Sequence, residues 1–583
     1  MEWCRRIGRW VLPVFSCGVL MAAGRYASAD GPDGNTQRAD LLIAQASAML
    51  SHVEPIGLGL RDYVPPGRSL TSLLNEIKVL NDRVGPLALS NVGPFLSRPT
   101  GLIAEWRTEH FNLHYATDGP DRPSGGPGTD FLAIAAEACE RAWVAHHRGP
   151  GWPSPILDSN SDGRIDVYIR DLGWGAYGYT LHETASEGTG ESGFISIDND
   201  FAGHPTLGTW DALRVTLAHE YDHVVQFAFG YAPEADWFME QSATMMEGQV
   251  CPQIPDRFRH LPFFVSSPHR HLDLSNGSYE YGAWLWPQFL LEHEGWGVPL
   301  LVSAWRAWSG SSRTMVAALD LALRERGSSL AAAFGEWAIW NAFLGQTDDG
   351  THYARLNEYP CAIWPEISVN RYPVDGLTPA PTHQPEHLGA SYIAFAPDPG
   401  SPNTRLEVKL SSGNGAIAAT LVSWPQGGGA PTTQTVSLAG GTGTFQVLGW
   451  NEIERACLVI AVGPEAPSAC AYSLTAHTRL SSADVGPDTI SWDGLRLSLA
   501  PNPSEARTTI TYELPADGPA LLRLYDAAGR LVETLMDGRE TAGVHQVEWR
   551  GPRDRTDSMD SGVYFCEIRT PNESRRVRLI RTR

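Results

Sequence analysis

Apolar positions along this chain change their spacing from one stretch to the next, and each spacing predicts a different element. Between residues 30 and about 104 the chain is polar at first. It then places Leu42, Ala46, Met49 and Leu50, and later Leu73, Leu74, Ile77 and Leu80, at the intervals of amphipathic helices. This region fits either a removable prosegment or an N-terminal helical layer. From Glu109 the period drops to two: 111–115, 165–169 and 193–197 read as strands, while 131–145 and about 211–229, closed by Gly230, read as helices. Helices dense in Trp and Leu follow from about 281 to 344. The order predicts an α+β half followed by a helical half, together spanning 105–350.

Beyond it, residues 351–385 are rich in Pro and lack a period, which predicts a linker. Short alternating runs at 391–395, 406–410, 417–422, 444–448 and 458–462, separated by Gly-rich turns, predict a β-sandwich over 386–480. A second all-β domain is expected over 488–583, with strands at 508–512, 521–525, 544–549, 563–568 and 576–580. The expected fold class is thus multi-domain, with two β-domains appended to the α+β and helical part.

The N-terminus modifies this picture. Arg5, Arg6 and Arg9 precede an apolar run of about 14 residues and the small-x-small sequence Ala27-Ser28-Ala29, the pattern of a secretory signal peptide over 1–29. The run is too short to span a bilayer, and no later segment of spanning length is free of charge, so no transmembrane helix is expected. Of the 583 residues 42% are hydrophobic and 19% charged, and the formal charge is −22. An acidic chain without a basic stripe is not expected to bind nucleic acid. Six cysteines remain after the signal, and export permits disulfides. Cys457–Cys470 is the most plausible local bridge by spacing and Cys251–Cys361 a weaker one; the absence of CxxC argues against a thiolate metal site.

The chemistry concentrates in Ala218-His219-Glu220-Tyr221-Asp222-His223. On a helix, residues i and i+4 share a face, so both imidazoles can reach one metal ion, with Glu220 placed to act on a water and not on the metal. Seventeen residues after His223, Glu240 offers a carboxylate on a second amphipathic segment, whose Ser242 and Ala243 would allow close approach. His219, His223 and Glu240 would complete a zinc site with one position open, and Glu220 would serve as general base. A separate stretch, Asp158 to Asp166, matches the first half of a calcium loop, but Ile169 stands where a bidentate Glu is required; the alternative is a polar Asx turn.

The HExxH sequence with a downstream Glu resembles the gluzincin metallopeptidases. The longer strings Ala218 to Phe227 and Trp237 to Gly248 are similar to a family of large secreted bacterial metalloproteases over roughly 105–350. The resemblance implies a zincin-like fold, His219, His223 and Glu240 as zinc ligands, and Glu220 as base. It also implies a tyrosine or histidine donor for the oxyanion, for which Tyr279 and Tyr281 are candidates. Thermolysin-like members carry an Asp four positions after the glutamate, where this chain has Thr244. Glu247 is then a candidate partner for a ligand histidine, or a rival ligand.

At the C-terminus, Ala500-Pro501-Asn502-Pro503, Leu524-Tyr525-Asp526-Ala527-Ala528-Gly529-Arg530 and Ser561-Gly562-Val563-Tyr564-Phe565 resemble the immunoglobulin-like sorting domains of type IX secretion and their relatives resembling the flagellar hook-capping protein. The resemblance implies an address to the cell surface or medium, with the secretion machinery as partner. The expected function is a secreted zinc endopeptidase acting on proteins or peptides. The alternatives are a non-catalytic surface binding protein on a degenerate peptidase fold and a hydrolase of non-peptide amides, because an activated water attacks any polarised carbonyl.

Overall fold

The computed structural model describes residues 32–50, 70–84, 89, 92–126, 130–149, 151–158, 162–173, 175–183, 190–345, 351–355, 358–398, 405–413, 415–436, 438, 441–466 and 469–479. Beyond these it describes 495–581, except 501, 503, 505–506, 515, 527–529, 550–561 and 572–573. The signal-type segment 1–29 lies outside the described residues. The chain divides into two compact units after Ser481.

The first unit starts with a helical pair, α1 (Pro32–Met49) and α2 (Leu70–Val84). A five-stranded sheet follows, built from β1 (Ala104–Arg107), β2 (Phe111–Tyr115), β3 (Ile165–Arg170), β4 (Gly178–His182) and β5 (Gly193–Asp198) in the order β1-β2-β3-β5-β4. β2, β3 and β5 are parallel, while β1 and β4 run antiparallel to their neighbours at the two edges. Period-two alternation gives the sheet two apolar faces. Phe111, Leu113, Val167, Ile195 and Ile197 pack with α3 (Asp130–His147) and α4 (Thr209–Phe227), while Tyr168, Leu181 and Phe194 pack with Leu42, Leu73, Leu74 and Ile77 of the α1–α2 pair. The α1–α2 pair therefore packs as a layer on the sheet.

α5 (Asp236–Val250) lies against α4 and opens the helical half, which continues through α6 (Leu261–Val265), α7 (Tyr279–Gly282), α8 (Leu285–Glu292), α9 (Gly297–Trp308), α10 (Met315–Arg324) and α11 (Leu330–Asn341). Trp284, Trp286, Trp305 and Trp337 are completely buried there, so the tryptophan-rich periodicity is that of a core.

The stretch read as a linker, 351–385, contributes two strands to the sandwich that follows: β6 (Ile367–Val369) and β7 (Val374–Leu377). With β8 (Ala390–Phe395), β9 (Arg405–Ser412), β10 (Ile417–Pro425), β11 (Thr432–Val436), β12 (Thr442–Leu448), β13 (Ile453–Val462) and β14 (Tyr472–Arg479), they form sheets of order β11-β10-β13-β8-β6 and β12-β9-β14-β7. The inner faces enclose Ile393, Leu421, Leu458, Val408 and Leu474. The outer face of the larger sheet packs on the helical half through Tyr392, Val422, Val459 and Ala461, and Tyr392 donates to the Ala338 carbonyl at 2.9 Å.

Cys251 and Cys457 form no disulfide, so neither expected bridge is present. Strand alternation explains the first: Cys457 points to the outer face of β13, towards the helical half, whereas Cys470 lies in the core between the sheets. Cys251 and Cys361 are both buried, and Cys251 forms no disulfide.

The second unit contains β15 (Arg496–Ala500), β16 (Thr508–Leu514), β17 (Gly518–Asp526), β18 (Leu531–Glu540), β19 (Gly543–Trp549), β20 (Gly562–Arg569) and β21 (Ser574–Arg581). Sheets β15-β16-β19 and β18-β17-β20-β21 enclose Ile510, Leu522, Leu524, Trp549 and Ile568.

Candidate metal centre

α4 is buried along almost its whole length, and its His219 and His223 stand one turn apart with ring centroids 4.9 Å from each other. α5 brings Glu240 opposite them: Oε2 lies 3.2 Å from His219 Nε2, and Oε1 lies 3.8 Å from His223 Nε2. One donor atom from each of the three residues lies within 4.8 Å of the other two, and all three residues are buried. Ser242 and Ala243, also buried, are on the same helix.

The other ring nitrogens are held from behind. His223 Nδ1 faces Gln226 Oε1 at 2.8 Å; that carbonyl oxygen only accepts, so Nδ1 carries a proton, and in the neutral ring Nε2 keeps its lone pair. Gln226 is itself fixed, donating to Asp222 Oδ2 at 2.6 Å and to the Met239 carbonyl at 3.1 Å, and Asp222 meets His146 Nε2 at 2.8 Å. His219 Nδ1 faces Glu247 Oε1 at 2.9 Å. Glu247 thus stands behind His219, on the side away from Glu240, in the position of an orienting partner. Burial lowers the His219 pKa, but Glu240 and Glu247 outweigh it and hold the ring well above its ordinary value.

The His223 Nε2 atom is buried and has no hydrogen-bond partner. A buried polar atom without a partner is costly, and a lone pair aimed at a carboxylate cannot bond to it. A divalent cation between them removes both penalties. Two imidazoles and one carboxylate form a donor set suited to zinc, so the residues fit that metal.

Glu220, on the same helix, is buried and bonded to residues outside this trio. Its Oε2 accepts from Thr180 Oγ1 at 2.7 Å and from Thr71 Oγ1 at 3.1 Å. β4 reaches the helix here because residue 178 is glycine: a Cβ at that position would lie 2.7 Å from Thr216 Cγ2 and 3.0 Å from Glu220 Cγ. Ser72 Oγ donates to Glu240 Oε1 at 3.1 Å.

The two tyrosine candidates separate. Tyr279 is buried and its hydroxyl donates to the Arg270 carbonyl at 3.0 Å, which makes it a packing residue. Tyr281 stacks on His219 at 5.9 Å between centroids and on His260 at 5.1 Å. In the Asp158–Asp166 stretch, Arg98 is the counter-ion, 2.7 Å from Asp158 Oδ2 and also bonded to Asp166, which accepts from His114 as well.

A second convergent group lies between the helical half and the first sandwich. Asp273 Oδ1 meets His271 Nδ1 at 2.8 Å and His387 Nε2 at 2.9 Å. Sequence reasoning missed this group, as it missed Thr180, Gln226, Thr71 and Ser72. Only Gln226 had a visible signal, three residues beyond His223 on the same helix.

No family model matches the chain, and no curated protein matches it. Among solved structures it is similar to PorZ, an essential bacterial surface component of the type-IX secretion system of Porphyromonas gingivalis. That match has 21% identity and a TM-score of 0.13, over 19% of this chain and 14% of the other. Dimeric latent PorU from the same organism matches at 15% identity and TM-score 0.14, over 36% and 20% of the two chains. A β-glucuronidase from Ruminococcus gnavus matches at 14% and 0.11, over 33% and 36%. The chain spans well under half the length of each, and likeness of this extent assigns it neither a fold nor an activity.

Proposed function

We propose that this chain is an exported zinc-dependent endopeptidase of the gluzincin type, with His219, His223 and Glu240 as metal ligands and Glu220 as general base. The observation that carries the reading is the buried convergence of His219 Nε2, His223 Nε2 and the Glu240 carboxylate, with the His223 lone pair unpartnered. Three protein donors leave one of zinc's four positions open, which distinguishes catalytic from structural sites. Zinc bound there would polarise a carbonyl and bring the pKa of a water towards about 7.

The chain's own residues have distinct tasks. Glu220, steered by the Thr180 hydroxyl, accepts the proton of the attacking water and returns it to the departing amine nitrogen. Tyr281, beside His219, is the candidate donor to the developing oxyanion. Glu247 and Gln226 fix the ligand rings. The signal-type N-terminus and the two facing sheets of 495–581 support export and a sorting domain that the secretion machinery receives. Among the described residues no helix is long and apolar enough to cross a membrane.

A non-catalytic binding protein is the second reading, favoured by the hydrogen bonds that Thr71 and Ser72 make to Glu220 and Glu240. Hydrolysis of an unfolded protein substrate separates the two, assayed with and without Glu220→Gln in zinc-loaded wild type and in an Asn75→Ala chain, which loses the α2 side chain bonded to the Thr180 carbonyl beside Glu220. The peptidase reading expects Glu220→Gln to lose about a hundredfold or more in turnover while keeping its zinc. Zinc-loaded chains that cleave no peptide bond, or a Glu220→Gln chain as active as its parent, would contradict it.

A further inference from the structure

β4 is an edge strand, bonded among the described residues only to β5, so the backbone groups of Thr180 and His182 point off the sheet. Side chains of α2 meet all four. Thr180 N–H donates to Thr71 Oγ1 at 3.0 Å, and its carbonyl accepts from Asn75 Nδ2 at 2.8 Å. His182 N–H donates to Asn75 Oδ1 at 2.9 Å, and its carbonyl accepts from Lys78. Thr71, Asn75 and Lys78 are spaced four and three residues apart, a single stripe along the helix. Residues 71 and 72 of the same helix donate to Glu220 and Glu240. The attachment is extensive: Leu73, Leu74 and Ile77 are fully buried, and Glu76 pairs with Arg38 to hold α1 alongside.

An exposed strand edge is where an extended peptide adds by backbone hydrogen bonding. Here that edge is satisfied by side chains of the chain's own helix, and the same helix engages both the base and a ligand. We propose that α2 is a built-in inhibitor that keeps the chain latent, and that substrate gains the β4 edge and Glu220 only when the α1–α2 pair is displaced or removed. This rests on the peptidase reading of the site. It gives the α1–α2 pair the role of an inhibitory segment instead of a purely structural layer.

The test compares zinc-loaded full-length wild type with a Thr71→Ala/Ser72→Ala/Asn75→Ala chain. Lys78→Ala alone serves as a milder variant should the triple one fail to fold. Three quantities are read: hydrogen exchange at the Thr180 and His182 amides, affinity for a peptide hydroxamate directed at zinc, and turnover of an unfolded protein. Release of α2 should speed exchange at both amides, tighten hydroxamate binding about tenfold or more, and raise turnover in step. Equal exchange and equal hydroxamate affinity in wild type and variants would overturn the inhibitory role, whatever the turnover. Faster exchange and tighter binding without turnover would instead overturn the peptidase reading and leave the occlusion standing.

Discussion

His223 gives its Nδ1 proton to Gln226 and so points a bare lone pair at Glu240 inside the protein. His219 differs at Nε2, which lies 3.2 Å from Glu240 Oε2, but it too has a partner behind the ring, Glu247 at Nδ1. The two glutamates on α5 therefore stand on different sides, Glu240 facing the Nε2 atoms of both histidines and Glu247 bonded to Nδ1 of His219. Glu240→Ala should abolish zinc retention, while Glu247→Ala should weaken zinc about ten- to a hundredfold yet still load at saturating metal. Titration with zinc against a competing chelator measures both, and the reverse order would exchange the two assignments. Legibility at this scale followed distance along the chain. His219, Glu220 and His223 lie within five residues on one helix and could be read from spacing. Glu240 required the further step of a second helix packing on the first. Tyr281 could be told from Tyr279 only once the Tyr279 hydroxyl was seen on the Arg270 carbonyl.

Among the strands that sequence reasoning missed, β4 carries Thr180 and forms the edge capped by α2. Its Gly-Tyr-Thr-Leu-His sequence is short and opens with a glycine, and its strand conformation comes from pairing with β5, a partner beyond any local window. β6 and β7 were missed for a related reason: three- and four-residue strands in a Pro-rich stretch owe their conformation to the sheets they join. The long elements α3, α4, β3 and β5 were legible because each buries a periodic apolar face. The close fit of β4 on α4 leads to a prediction about Gly178. Gly178→Ala places a methyl against Thr216 and Glu220, so it should push the strand or the carboxylate aside. Turnover should fall with zinc content unchanged, because no ligand is touched. Loss of zinc together with turnover would show that β4 supports the metal trio itself.

At the scale of the whole first unit, the helical half and the first sandwich are joined by backbone bonds, Glu386 N to His269 O at 2.8 Å and Leu272 N to Leu388 O at 3.1 Å, and by the Asp273 group. Burial acts to raise the Asp273 carboxyl, but hydrogen bonds from His271 and His387 overcome it and hold it well below the usual range. The hydrogen bond to Asp273 raises His387 above its ordinary value. A raised histidine stabilises fully below its unfolded pKa, about 6.5, and the contribution is lost as pH rises through the folded value. A depressed carboxylate stabilises above its unfolded pKa, about 3.9, and its contribution is lost as pH falls towards the folded value. The junction should therefore be strongest between about pH 4 and 6.5. Thermal unfolding across pH should show the largest gap between wild type and His387→Gln in that window, narrowing towards alkaline pH; a constant gap would mean that the ion pair adds nothing.

Zinc binding by the α4–α5 trio is read from elemental analysis of zinc per folded chain, wild type beside His223→Ala. The variant should hold about one zinc fewer, with circular dichroism unchanged. Equal zinc in both chains, or a folded wild type that takes up none when zinc is supplied, would contradict it.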